Sequence, residues 1–69
     1  MLKETRLNVE GMECSRCENW IKIAVGAGKG VNKVVVSLNE KTVTIEHDPK
    51  LFSERDIREI IEDGGYDIV

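Results

Sequence analysis

A chain of 69 residues, 41% hydrophobic and 33% charged, has the composition of a globular protein and the length of one domain, residues 1–69. A domain near this size buries only roughly 60% of its unfolded surface, which leaves little to line a deep substrate pocket. Ten basic and 13 acidic residues give a net charge of -3, against the cationic face of a nucleic-acid binder. No segment approaches the roughly 20 apolar residues of a membrane span, and Met1 to Arg6 has no apolar stretch of a secretory signal. A cytoplasmic address follows, with no insertion into a membrane.

Thr5, Leu7 and Val9 alternate with Arg6, Asn8 and Glu10, the period of a half-buried strand. Gly11 breaks that run, and a loop over 12–16 leads into a helix over 17–27 whose apolar face is Ile21, Ala24 and Val25. Gly26, Gly28 and Gly30 end the helix with left-handed cap geometry. Val31, Val34, Val36 and Leu38 outline a second strand. Asn39-Glu40-Lys41 connects it to a third, where Val43 and Ile45 alternate with Thr42, Thr44 and Glu46; the two pair as an antiparallel hairpin. Asp48-Pro49 closes the third strand. Ser53, with Asp56 three residues on, caps a second helix with Ile57, Ile60 and Ile61 as its buried stripe, stopped by Gly64-Gly65. Residues 66–69 suffice for a fourth, edge strand. The order β-α-β-β-α-β gives an α+β fold, the ferredoxin-like sandwich of a four-stranded antiparallel sheet with two helices on one face. Its core is expected from Leu7, Val9, Ile21, Val36, Val43, Ile45, Ile57 and Ile61.

Cys14 and Cys17 carry the chemistry. Their spacing lets two sulfurs meet around one ion when the second lies in the first turn of a helix. The unsatisfied N–H groups and partial positive charge of a helix N-terminus favour thiolate over thiol, and Arg16 adds a cation between them. Soft sulfur selects Cu(I), Zn(II) or Hg(II) over magnesium or calcium. Two cysteines and one histidine cannot furnish the four ligands of a closed zinc site, whereas Cu(I) is content with two sulfurs and stays open to a third. A redox-active dithiol is the rival from a different class, since thioredoxin-like proteins place the same spacing at a helix N-terminus. Against it, the chain is short for that fold and no proline lies between the cysteines.

The segment Gly11-Met12-Glu13-Cys14-Ser15-Arg16-Cys17 matches the pattern G-M-x-C-x-x-C, and here the chain resembles the heavy-metal-associated domain family. That family includes small cytosolic copper chaperones and N-terminal domains of metal-transporting P-type ATPases. The likeness continues through Leu7-x-Val9, Gly30-Val31, Val34-x-Val36, Val43-x-Ile45, Ile57, Ile60-Ile61 and Gly65-Tyr66. It implies the same sandwich and Cu(I) or another soft ion on Cys14 and Cys17. It also implies transfer by ligand exchange to a matching motif on a metal-transporting ATPase or a metal-responsive regulator. The apo chain is then a monomer, with a metal-bridged dimer as a further state. Met12 takes the place of a methionine packed under the metal loop, in preference to a thioether ligand. Tyr66 falls where bacterial copper chaperones carry a tyrosine near that loop; the other reading is an edge-strand aromatic with its hydroxyl in water.

Two positions depart from the family's copper pattern. Glu13 stands where copper members mostly carry threonine or serine and where zinc- and lead-exporting ATPase domains carry an acid, which raises Zn(II) or Cd(II) as an alternative cargo. Gly26 and Gly28 replace helix formers, each interior glycine costing about 0.8–1.0 kcal/mol, so the first helix is expected to fray or end early. His47 reads as a solvated imidazole, and Trp20 as rim packing over the first helix. Between Cys14 and Lys33 four bases face one acid, and between Ser53 and Asp63 five acids face two bases. A basic first helix meeting an acidic patch on the metal acceptor is the corresponding expectation. A start at Met1 and an end on the last strand fit a complete small protein as well as an excised transporter domain.

Overall fold

In the computed structural model, which describes residues 1–12 and 14–69, the alternating run becomes strand β1, Lys3–Glu10, with Thr5, Leu7 and Val9 buried and their neighbours exposed. Helix α1 (Ser15–Gly26), strands β2 (Val31–Ser37) and β3 (Thr42–His47), helix α2 (Glu54–Asp63) and strand β4 (Asp67–Ile68) follow. The sheet order is β2-β3-β1-β4, every neighbour antiparallel. β3 therefore lies between β1 and β2, the two strands that α1 joins, as a split βαβ arrangement requires. Ile21 and Val25 of α1 and Ile57 and Ile61 of α2 close over Leu7, Val9, Val43 and Ile45, all between 0% and 5% exposed. Each such side chain contributes roughly 1.5–3 kcal/mol by leaving water.

Several local expectations change. α1 starts at Ser15, two residues earlier than the periodicity indicated, because Cys14 supplies the extended N-cap. It ends at Gly26 as the glycines lead one to expect, but through an ordinary right-handed cap at Ala27 (φ -76°, ψ -10°). The left-handed residue is Gly30 (φ 96°), at the entry to β2. Val31 and Val34 differ in parity, and a bulge between Val31 and Lys33 brings both toward the core. Leu38 lies beyond the end of β2. Val36 is only half-buried because β2 is an edge strand, and Met12 and Val25 take full core places instead. β4 is shorter than residues 66–69, leaving Tyr66 in the connection before it.

His47 corrects the expectation of a solvated ring: it is 0% exposed. Its Nδ1 lies 2.6 Å from the carbonyl oxygen of Phe52 and its Nε2 2.8 Å from the Thr5 hydroxyl. A carbonyl only accepts, so Nδ1 carries a proton, while Nε2 pairs with the Thr5 hydroxyl. The imidazole thereby ties the β3–α2 connection to β1.

α2 begins with a complete capping box: Ser53 Oγ accepts from the Asp56 N–H, and Asp56 accepts from the Ser53 N–H. It ends in a Schellman motif. The Gly65 N–H donates to the Glu62 carbonyl at 3.0 Å and the Tyr66 N–H to the Ile61 carbonyl at 3.4 Å, with Gly65 left-handed at φ 91°. This reversal delivers Tyr66 to the same end of the molecule as the N-terminus of α1.

Candidate metal site

Cys14 occupies the N-cap of α1 with extended backbone (φ -148°, ψ 166°) and makes no side-chain capping bond. Its carbonyl accepts from the N–H groups of Cys17 at 3.1 Å and Glu18 at 3.3 Å. That first turn brings the two sulfurs within 3.5 Å of each other, so the spacing read from the sequence is realised in space. Cys14 is exposed, Cys17 half-buried, and no disulfide joins them. On the inner side Met12 is 3% exposed and belongs to the core cluster, which anchors the approach to the loop. Its thioether is thus a packing group.

A zinc–thiolate bond is about 2.3 Å long, and two bonds near that length span a gap of this size. The sulfurs sit at the positive end of α1. Cys14 faces solvent, so an incoming donor has a route to an ion held there. Among the described residues, no group of three or more His, Cys, Asp or Glu side chains converges as a metal cage. His47 takes no part, since it pairs with Lys3 at the opposite end of β1 from the cysteine loop. Glu13 lies outside the described residues.

Tyr66 joins the site. The Cys17 side chain beside its hydroxyl, followed by burial and by the charges of Cys17 and Cys14, raises the phenol above its ordinary value of 10.0. Of the two sequence readings, the ring that approaches the metal loop is the one observed. Its Cδ1 is 3.5 Å from where a Cβ on Gly11 would stand. Trp20 packs beside it with ring centroids 5.7 Å apart and planes inclined at 46°. The Tyr66–Trp20 contact is the part of the site that sequence reasoning missed. The available signals were the three-residue step from Cys17 to Trp20 and a double glycine where one glycine suffices to stop a helix.

A family model described as "Heavy-metal-associated domain" matches residues 6–67. Copper-transporting ATPase 1 of Rattus norvegicus is 41% identical over 69 residues, all of this chain but 5% of that ATPase, so the chain spans a small part of such relatives. Copper chaperone CopZ of Bacillus subtilis (strain 168) is 37% identical over 67 residues, 97% of each chain. The solved N-terminal domain of a potential copper-translocating P-type ATPase from Bacillus subtilis, in its Cu(I)-loaded state, superposes with a TM-score of 0.94 at 32% identity over 99% of this chain and 85% of that one.

Proposed function

This chain belongs to the heavy-metal-associated domain family, and on that premise we propose that it binds Cu(I) through the sulfurs of Cys14 and Cys17 and passes the ion to a partner protein by thiolate exchange. The observation that carries the reading is the pair of sulfurs 3.5 Å apart at the head of α1, with Cys14 open to solvent. Copper-transporting ATPases and copper chaperones among the relatives support the choice of ion. Residues 1–69 act as one carrier module and catalyse no covalent change in a substrate.

Transfer follows from the open donor set. A thiolate of the acceptor forms a new sulfur–copper bond, giving a three-sulfur intermediate. A bond to Cys14 or Cys17 then breaks, that cysteine leaving with the electron pair as a thiolate, and a second exchange with the acceptor's other thiolate frees the remaining cysteine. Copper stays monovalent throughout, and only protons and ligands are exchanged. The acceptor is a metal-transporting P-type ATPase domain or a metal-responsive regulator with a matching sulfur pair. A reducing compartment keeps the dithiol open, which makes the cytoplasm the working address. No helix is long and apolar enough to cross a membrane among the described residues.

Titrating the reduced protein with Cu(I) against a competing chelator tests the reading. One ion per chain is expected, with binding lost in Cys14→Ser and in Cys17→Ser. Undiminished binding in either variant, or turnover of disulfide substrates without metal binding, would overturn it. Glu13 gives Zn(II) and Cd(II) a specific second claim. In that case Glu13→Ala weakens Zn(II) binding at least tenfold and leaves Cu(I) affinity alone; equal Zn(II) affinity in both proteins dismisses it.

A further inference from the structure

Trp20 follows Cys17 by three residues on α1, which puts both side chains on one side of the helix. Its indole meets the Tyr66 ring at 5.7 Å with a 46° tilt, within the range where inclined aromatic pairs attract. The indole also fills the place of a side chain at Gly64, where a Cβ would overlap ring atoms Cη2 and Cζ3. Gly64 has φ -76° and ψ -4°, backbone open to any residue, so it is the indole and not the backbone that excludes a side chain there. Trp20 nonetheless remains 39% exposed, well outside the buried core.

We infer that Trp20 is a positioning residue for metal exchange: seated in the notch left by Gly64, it clamps the Tyr66 ring against the cysteine loop and so holds the phenol on the Cys17 sulfur. The inference rests on the reading above only in taking Cys17 as a metal ligand. A hydrogen bond draws electron density from a sulfur, which makes it a weaker nucleophile and an easier group to displace from a metal. The clamp therefore makes the two sulfurs unequal: Cys17 is the readier leaving group, while Cys14 keeps its hold on the ion during the first exchange.

The test uses the reduced, metal-free protein, so it stands apart from whether copper binds. The rate of iodoacetamide alkylation at Cys17 is followed by mass spectrometry of its peptide. Trp20→Ala and Tyr66→Phe are each expected to raise that rate on the order of fivefold, and the double variant to show no more than either alone. Trp20→Phe keeps a smaller ring on Tyr66 and falls between. Gly64→Ala, which displaces the indole, reproduces the rise, and the same alanine added to Trp20→Ala raises the rate no further. Wild-type alkylation in both Trp20→Ala and Gly64→Ala would overturn the clamp. So would effects of Trp20→Ala and Tyr66→Phe that multiply, since Trp20 would then act by some route other than Tyr66. If Trp20→Ala does not fold, Gly64→Ala and Trp20→Phe make the same comparison with the ring retained.

Discussion

The hydrogen bond inferred between the Tyr66 phenol and the Cys17 sulfur survives only while the phenol keeps its proton. Its folded value lies above the 10.0 of an unfolded chain, so the stabilisation is fully present below pH 10.0 and is lost as pH rises through the folded value. Near-ultraviolet titration of the reduced protein is expected to show tyrosinate appearing later than in the urea-unfolded chain. Cys17→Ala, which removes the first and largest cause, should close most of that gap; an unchanged gap would mean that burial, not the sulfur, sets it. His47 offers a contrasting test, of fold rather than site. His47→Leu leaves the Phe52 carbonyl without its donor, a loss on the order of 2 kcal/mol in urea unfolding, while Cu(I) affinity stays at the wild-type value because the ring is at the far end of β1. The burial of His47 was legible in principle, since it shares the parity of Val43 and Ile45, the two inward residues of β3. A polar ring at a strand end is read as solvated unless its partners are known, and Thr5 and Phe52 are 42 and 5 residues away in sequence.

Among the elements, both helix ends turn on glycine, yet for different physical reasons. Gly65 is left-handed at φ 91° and closes the Schellman motif that presents Tyr66. Gly65→Ala forces a side chain into that region at roughly 1–2 kcal/mol and shifts the tyrosine with it. Gly26 terminates α1 with open space around its missing Cβ. Gly26→Ala should therefore stabilise the protein, by about 0.5–1 kcal/mol, through helix propensity alone. Opposite signs in the two urea midpoints are the expected result, and a destabilised Gly26→Ala would show that the flexible end of α1 is itself required. Composition identified both glycine stops but not their backbone geometry, which depends on the hydrogen bonds the following residues find. The bulge in β2 escaped for a related reason. The parity break between Val31 and Val34 is visible in the sequence, but only pairing with β3 decides that the strand absorbs it as a bulge and does not end there.

Across the whole molecule, the cysteine loop and the capping box were legible because each is a short segment whose geometry follows from residues three apart. The charge asymmetry is legible as composition, but its effect depends on where each charge stands relative to the sulfurs. Arg16 lies between the two cysteines, whereas Lys29 lies past the far end of a 12-residue helix, about 18 Å of axial rise at 1.5 Å per residue. At physiological salt that is more than two Debye lengths of about 8 Å, so Lys29 barely senses an acceptor docked at the sulfurs. Lys22 is intermediate in position and already paired with Glu18 at 2.7 Å, though an exposed pair of this kind is worth little in itself. For transfer to an acidic acceptor at physiological salt, Arg16→Glu should slow the bimolecular rate severalfold, Lys22→Glu less, and Lys29→Glu within about twofold of wild type. Raising the salt should compress the series toward a common rate, and Cu(I) affinity measured on each variant separates steering from any change at the sulfurs. A Lys29→Glu variant as slow as Arg16→Glu would place the contact along the whole length of α1, and equal rates for all three would show that charge does not guide the encounter.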